Sequence, residues 1–249
     1  MHLLKKVYKT SKNILFSPFV LRDYFTFRVK IKSVENKPRF SLFLKDFYPC
    51  LGDKTATTSF DTHYVYHTSW AARVLATTKP HEHVDLSSSL YFCGIASAFV
   101  PTKFYDYRPA KLNLSNLESR HADLMALPFA DNSVKSLSCM HTIEHIGLGR
   151  YGEPIDPDAD LKAINELIRV LAHGGNLLFV TPIGKPRIQF NAHRVYSYEQ
   201  ILSYFKNLDL KEFSLVPDNT KETGMIYNAT KQQADEQIYG CGCFWFIKK

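Results

Sequence analysis

The ten residues HVDLSSSLYF (83–92) decide the fold. A short apolar run reaches an acidic residue, Asp85, and then breaks into three serines. This pattern predicts a buried strand followed by a tight turn, which is where doubly wound folds wrap their first loop around a nucleotide. Such loops usually contain glycine, because glycine lets the backbone approach a ligand closely. Residues 84–93 contain none, so the stretch alone fits either a cofactor turn or an ordinary polar turn.

The segments on either side alternate between strand-like and helix-like patterns. The clearest helix is DADLKAINELIRVL (158–171), whose apolar residues share one face behind an initial aspartate. Two further helices are predicted at 60–78 and 197–207. The predicted strands are RFSLFL (39–44), HVDL (83–86), TKFYDYRP (102–109), a run ending near Asp123, VKSLSCM (134–140), NLLFVTPI (176–183), EFSLVP (212–217) and CFWFIK (243–248). Strands that alternate with helices predict an α/β fold, with a mostly parallel sheet and helices on both faces.

The composition is that of a globular protein without a membrane span. Of the 249 residues, 45% are apolar and 22% are charged, and no apolar run reaches the roughly 18 residues that a spanning helix needs. The five cysteines are an odd number for a disulfide framework, and Cys241 and Cys243 form C-x-C, which matches neither a zinc knuckle nor a redox motif. A reducing, cytoplasmic compartment is the simplest interpretation.

The net charge of +7 is concentrated at the N-terminus. Residues 1–32 contain eight basic residues and one acid, and the rest of the chain is balanced. We therefore predict a basic arm (1–32), an extension with a leading helix (33–80) and a main domain (81–249). A neutral domain argues against a nucleic-acid partner. The arm is either a solvated leader or a docking segment for a membrane surface or a protein, because phenylalanines and leucines lie between its lysines.

Acidic residues recur at the ends of the predicted strands. Asp106 ends the second strand, 21 residues after Asp85, which is close to the spacing of about 20 at which doubly wound folds place an acid on ribose hydroxyls. Asp123 ends the third strand, and His141 follows the fourth. Because ligands bind at the carboxyl ends of parallel strands, these residues are expected to converge on one site.

The order of motifs resembles the class I S-adenosylmethionine-dependent methyltransferases, in a branch whose first cofactor loop is poor in glycine. The similarity covers roughly residues 81–182, with a weaker match to about 206, and is greatest to the group that methylates small molecules and glycans. The resemblance implies a Rossmann-like, seven-stranded sheet. The motifs that carry it are VDLSSS, YDYRP, ADLMALPFADNSV, MHTIEHIG and ELIRVLAHGGNLLFVTP.

The resemblance also implies cofactor contacts. The first turn would wrap the methionine part of S-adenosylmethionine, the acid after the second strand would hold the ribose, and the residues after the third would meet the adenine. The implied cofactor residues are Asp85, Ser87, Ser88, Ser89, Asp106, Asp123 and Leu124.

On the acceptor side, the loop after the fourth strand and residues 184–196 would face the transferred methyl group. A base helps if the acceptor atom is oxygen, and the catalytic candidates are His145, His141, Glu144 and His193. The acceptor-binding candidates are Arg150, Asn191, Arg194 and Tyr196. The expected acceptor is a small molecule or a glycan. The segment THYVYH (62–67) would either fold over the cofactor or belong to the core.

Two alternatives remain open. The stretch HTIEH (141–145) also matches the H-x-x-E-H zinc-hydrolase motif, but that motif needs a long helix, and the strand before it and GLGRYG (147–152) after it leave no room for one. No residue is therefore assigned as a metal ligand. The glycine-free turn instead favours a second alternative, a non-catalytic protein of this fold acting as a partner in a glycan pathway. The sequence does not indicate an oligomeric state.

Overall fold

Strand β1 (His83–Leu86) is buried along its whole length in the computed structural model, which describes residues 18–33 and 39–249. It pairs in parallel with β2 (Thr102–Asp106) on one side and with β4 (Val134–Met140) on the other. A strand covered on both faces and both edges carries polar residues only where they find internal partners.

The main sheet has seven strands. Besides β1, β2 and β4 it contains β3 (Leu117–His121), β5 (Leu171–Ile183), β8 (Leu208–Val216) and β9 (Gly240–Lys248). The strand order is β3-β2-β1-β4-β5-β9-β8, and β9 is antiparallel to both neighbours. The short β6 (Arg187–Gln189) and β7 (His193–Val195) form a separate hairpin. The predicted mostly parallel, seven-stranded α/β fold is confirmed. Its order reverses between β1 and β4, so the crevice for a ligand lies at their carboxyl ends.

Alternating side chains of the strands supply two cores, one on each face. On one face, Leu177 and Phe179 of β5 pack in a cluster with Leu167 of α4 (Ala159–Val170). On the other face, Leu178 packs in a cluster with Trp70 of α2 (Thr62–Thr78). The other α-helices that follow α2 in the chain are α3 (Leu90–Ala96), α5 (Tyr198–Tyr204), α6 (Thr220–Thr223) and α7 (Lys231–Asp235).

The chain divides into two compact units, residues 1–60 and 61–249. The division differs from the predicted boundary at 80/81. The reason is that α2 buries Trp70, Val74 and Leu75 in the core of the larger unit, so this leading helix is part of that unit.

In the smaller unit, residues 18–33 are helical (α1) and Leu44–Asp46 form a 3₁₀ turn. The prediction of a strand at 39–44 is wrong, because residues 39–43 are irregular. The side chains of Phe40 and Phe43 are exposed instead of buried. The first half of the predicted basic arm, residues 1–17, lies outside the described residues. Among the residues that are described, no helix is long and apolar enough to cross a membrane.

Candidate active site

A cavity of about 290 Å³ lies at the carboxyl ends of β1, β2, β3 and β4. This is the crevice where the strand order reverses, which is the usual ligand position in an open α/β sheet. Its lining residues are Ser87, Asp106, Tyr107, Arg108, Asp123, Leu124, Met125, His141, Thr142, His145, Ile146, Tyr151, Glu153 and Pro154. The volume is close to the lower end of the roughly 300–1,000 Å³ typical of small-molecule sites.

Ser87 gives the turn after β1 the shape that glycine usually provides. Its φ of 58° lies in the left-handed region, which costs a residue with a side chain about 1–2 kcal/mol. The conformation is held from β2, because the backbone N–H and the hydroxyl of Ser87 both donate to the carbonyl of Tyr105, at 2.8 and 3.1 Å. A turn without glycine therefore still faces the cavity with a glycine-like backbone.

The other residues assigned to this turn lie behind it. Asp85 is fully buried, and its carboxylate accepts hydrogen bonds from the Ser88 N–H at 3.0 Å and from the Ser138 hydroxyl. The Ser88 hydroxyl accepts from the N–H of Met140, and Ser89 precedes α3. Asp85, Ser88 and Ser89 are not among the residues that line the cavity, and the side chains of Asp85 and Ser88 hold the turn from behind.

A chain of hydrogen bonds runs through the sheet beneath this turn. His83 bonds Ser136 through Nδ1 and Ser138 through Nε2, each at 2.8 Å. Because Ser138 donates its only proton to Asp85, His83 must donate to Ser138 through Nε2 and accept from Ser136 at Nδ1. Burial lowers the pKa of His83 to about 3, and burial also raises the pKa of Asp85 against the hydrogen bonds from Ser138 and Ser88.

Asp106 and Asp123 both line the cavity, as the sequence spacing predicts. One carboxylate oxygen of Asp106 accepts the Arg108 N–H at 2.7 Å, and one of Asp123 accepts the Met125 N–H at 2.8 Å. Within the described part of the chain, the second oxygen of each carboxylate accepts no hydrogen bond. Leu124 lies on the same wall. Two carboxylate oxygens and an apolar wall are therefore open to a ligand.

The loop 146–157 covers one side of the cavity. Its second residue is Gly147, where φ is 77° and a Cβ atom would lie 2.1 Å from the carbonyl oxygen of Asp156. Only glycine fits this position. Further along, the ring of Tyr151 lies between two guanidinium groups, with Arg108 at 4.5 Å and Arg150 at 5.1 Å from its centroid. Arg150 also donates to the carbonyl of Ala192. The cavity thus has a cationic rim, and Arg108 and Tyr151 belong to it although the sequence analysis did not select them.

His145 lines the cavity, and one of its ring nitrogens accepts no hydrogen bond from the described residues. Its Nδ1 lies 2.6 Å from the carbonyl oxygen of Ala192, which can only accept, so Nδ1 carries the proton and Nε2 keeps its lone pair. The 3.0 Å approach of the Arg150 guanidinium to Nδ1 is then a contact between two donors and not a hydrogen bond. Burial lowers the pKa of His145, and the Glu144 carboxylate, 3.8 Å from Nε2, opposes that shift. The imidazole is therefore neutral at pH 7 and can accept a proton.

His141 and Glu144 form a buried pair beside the cavity. The Nδ1 of His141 bonds a carboxylate oxygen of Glu144 at 2.8 Å. Burial disfavours the charge on both, but Cys241 and Glu144 outweigh it for His141 and raise its pKa to about 10. The same pairing lowers the pKa of Glu144. Glu144 is 1% exposed and lies outside the cavity lining, so it acts on the site through the two histidines.

The remaining predicted residues do not line the cavity. Arg194 is buried and donates to the carbonyls of Ile146, at 2.6 Å, and Pro157, at 3.1 Å, which are the two ends of the loop 146–157. Tyr196 donates its hydroxyl to Asp160 at 2.7 Å. Arg194 therefore braces the two ends of the loop, and Tyr196 is bonded to α4 instead of facing the cavity. Asn191 is exposed on the segment between β6 and β7.

His193 begins β7 near the site but outside the cavity lining. Its ring lies 6.3 Å from that of His145 and 5.0 Å from that of Tyr239. Within the HTIEH stretch, Ile143–His145 form a 3₁₀ turn. The Nδ1 atom of His141 bonds Glu144, whereas the Nδ1 atom of His145 bonds the carbonyl of Ala192. This geometry does not fit the helical zinc-hydrolase motif.

Solved structures similar to this chain share its fold. The first is a methyltransferase candidate from Bacillus halodurans, with 16% identity, 73% of this chain and 98% of that chain covered, and a TM-score of 0.50. The second is an S-adenosylmethionine-dependent methyltransferase from Thermotoga maritima, with 12% identity, 76% and 92% coverage, and a TM-score of 0.50. The YcgJ protein from Bacillus subtilis matches at 15% identity, 73% and 99% coverage, and a TM-score of 0.50. The protein has the class I methyltransferase fold.

At the level of sequence, a family profile described as "Caenorhabditis protein of unknown function, DUF268" matches residues 120–237. This range begins in β3 and includes the loop 146–157, but it omits β1 and its turn. No curated protein matches the sequence significantly. The resemblance to methyltransferases therefore stands at the level of the fold.

Proposed function

We propose that the protein transfers a methyl group from S-adenosylmethionine to an oxygen atom of a small-molecule or glycan acceptor. The observation that carries the proposal is the cavity at the sheet's reversal point, with Asp106 and Asp123 on one wall and His145 on another. The fold supports methyl transfer in general, and the choice of oxygen rests on His145.

The residues of the cavity fit the proposed cofactor. The free carboxylate oxygen of Asp106 can accept ribose hydroxyls, and Leu124 and Met125 offer an apolar surface for the adenine. The left-handed turn at Ser87 lets the backbone approach the methionine part. When bound, the cofactor supplies an activated sulfonium methyl group, so the protein has mainly to align the acceptor.

His145 would serve as the general base. Its Nε2 lone pair would accept the proton that the acceptor hydroxyl loses on methylation, so that the new ether oxygen is left uncharged. The hydrogen bond from Nδ1 to Ala192 fixes the ring in the productive tautomer. The lowered pKa of His145 keeps the ring neutral at physiological pH.

Arg108 and Arg150 suit an acceptor that carries a carboxylate or a phosphate. Both guanidinium groups stack on Tyr151 at the rim of the cavity, and guanidinium binds such anions through paired hydrogen bonds. An anionic acceptor held at this rim would lie beside His145, because Arg150 is 3.0 Å from the His145 ring.

Calorimetry with S-adenosylmethionine and with its demethylated product tests the proposal. We expect micromolar binding by the wild type and a loss of at least about tenfold, or 1.4 kcal/mol, in both Asp106→Ala and Asp123→Ala. Asp131→Ala is the matched control, because that carboxylate is exposed and pairs with Arg169 outside the cavity.

A folded protein that gives no heat signal with either ligand would sink the proposal and favour the non-catalytic alternative. If both ligands bind but His145→Gln keeps full activity toward an identified acceptor, the cofactor assignment stands and the base is another group.

A further inference from the structure

We propose a zinc site formed by His63, His141 and Cys241, with His67 as the fourth ligand. The first three come from α2, from the turn after β4 and from β9. One ligand atom from each lies within 4.8 Å of the others. Tetrahedral zinc with bonds of 2.0–2.3 Å holds its ligand atoms about 3.5 Å apart. An inward shift of about 1 Å would therefore bring these three atoms to zinc-binding distances. His67, whose ring lies 5.0 Å from that of His141, would complete the site by a larger movement.

The Nε2 atoms of His67 and His141 favour a cation between the two rings. His67 donates from Nδ1 to the carbonyl of His63 at 2.6 Å, so its Nε2 carries a lone pair. This Nε2 and the Nε2 of His141 are both buried, and neither has a hydrogen-bond partner among the residues that the structure describes. The two rings lie only 5.0 Å apart, nearly edge to face. A buried polar atom without a partner costs about 1–3 kcal/mol, and one metal ion would satisfy both atoms.

The outer contacts of the two histidines are those of metal ligands. A ligating histidine typically donates its second ring N–H to a carboxylate or to a backbone carbonyl, which fixes the ring and its tautomer. His141 makes that contact with the buried carboxylate of Glu144, and His67 makes it with the carbonyl of His63. The metal at Nε2 of His141 would replace the proton that this ring otherwise holds.

The ligand types select zinc over the hard cations. Imidazole nitrogens with one thiolate suit a borderline metal, whereas magnesium and calcium need oxygen ligands. His63 and His67 are four residues apart on α2 and therefore lie on the same side of the helix. Cys241 is buried on β9. Four protein ligands leave no open position, so the metal would link α2, β4 and β9 without binding the acceptor.

Metal content and cobalt spectroscopy test this site on the full chain, purified without a polyhistidine tag. We expect about one zinc per chain. Replacement by cobalt should give tetrahedral d–d bands and a thiolate-to-cobalt charge-transfer band. Removal of zinc with a chelator should lower the melting temperature, because a metal that binds the folded state alone stabilises it.

Paired variants separate the metal site from ordinary packing. Cys241→Ala should lose the thiolate band, whereas Cys139→Ala, an equally buried thiol in the core on the opposite face, should keep it. Glu144→Gln should weaken zinc binding about 10–100-fold. If Cys241→Ala does not fold, His63→Ala replaces it, because His63 is only half-buried.

A folded wild-type protein that binds no zinc at stoichiometric concentration would overturn the proposal. So would a Cys241→Ala or His63→Ala protein with an unchanged cobalt spectrum. The zinc proposal does not rest on the methyl-transfer proposal, since metal content and the cobalt spectrum are measured without the cofactor, even though His141 also lines the cavity.

Discussion

Ser87 shows how a single side chain can stand where a glycine is usual. Its backbone occupies the left-handed region, and two hydrogen bonds to Tyr105 hold it there. That conformation costs about 1–2 kcal/mol, and the hydroxyl bond offsets about 0.5–1.5 kcal/mol of it, so the net cost is small. The remaining effect of the serine falls on the ligand, because its side chain occupies space that glycine leaves free.

We predict that Ser87→Gly binds the demethylated cofactor up to about fivefold more tightly, equivalent to about 1 kcal/mol. The free energy of unfolding should change by less than about 1 kcal/mol. Ser87→Val should bind more weakly and unfold more easily, because a β-branched side chain tolerates the left-handed region poorly. Calorimetry gives the affinities and urea titration gives the stabilities. Equal affinity in all three proteins would mean that the turn does not contact the ligand.

His83 makes the stability of the protein depend on pH. Its pKa is about 3 when folded and about 6.5 when unfolded, so between these values the unfolded chain binds more protons. The contribution of His83 is complete above pH 6.5 and is lost as the pH falls, by about 1.4 kcal/mol per unit. The raised pKa of Asp85, linked through Ser138, acts in the opposite direction at lower pH.

Substitution by glutamine isolates this effect, because its amide can accept from Ser136 and donate to Ser138 without taking up a proton. At pH 5 the stability difference between His83→Gln and wild type should have shifted by about 2 kcal/mol in favour of the variant, relative to pH 7.5. Urea titrations at the two pH values measure it. Parallel pH profiles for the two proteins would contradict the assignment.

At the scale of elements, one side chain holds both ends of the cavity loop. Arg194 of β7 bonds the carbonyls of Ile146 and Pro157 and lies 3.5 Å from Asp160. We expect Arg194→Ala to lower the free energy of unfolding by about 3 kcal/mol or more, because it leaves a buried carboxylate without its cation. The loop 146–157 should also become sensitive to protease.

A lysine at this position should rescue the loop only in part, since one ammonium group cannot span two carbonyls and a carboxylate as a guanidinium does. Arg187→Ala is the control, because that arginine is only partly buried and binds two carbonyls elsewhere. A loop that is equally resistant to protease in Arg194→Ala and in Arg187→Ala would contradict the role of Arg194.

The sequence predicted the elements better than the side-chain directions. Strand β4 and helix α4 were found because buried strands and amphipathic helices carry their own periodicity, and the Ser197–Gln200 capping box of α5 is present. Asp106 and Asp123 were found because strand ends converge. Arg194 was expected to face the acceptor but does not line the cavity, because spacing shows that a residue is near a site and not where its side chain points.

The meeting of His63, His141 and Cys241 could not be read from the sequence for a different reason. The C-x-C pair at 241–243 matches no metal motif, and each of the three residues lies on a different element. Their proximity depends on the order of strands in the sheet, which brings β9 beside β5 and places α2 over the same face. Only the tertiary structure contains that information.

At the scale of the whole molecule, residues 1–60 and 61–249 have separable roles. Both apolar cores are built from residues after 60, whereas α1 exposes Phe19, Phe25 and Phe27 among basic residues. A fragment of residues 61–249 should therefore unfold cooperatively with an unchanged melting temperature. We propose that the basic arm docks on an anionic membrane surface.

Co-sedimentation with phosphatidylserine vesicles tests that proposal. The full chain should bind them and the fragment should not, and added salt should weaken the binding. Equal binding by the two proteins would show that the arm is not the membrane contact.

The proximity of His63 and Cys241 also has a consequence for the order in which the chain folds. His63 and Cys241 are 178 positions apart, so a ribosome must add all of the residues between them before the second can reach the first. Contacts between such distant residues form late. A thiol reagent added during refolding would modify Cys241 until β9 docks and would fail to do so afterwards. The loss of its reactivity would then mark the moment at which the sheet is complete.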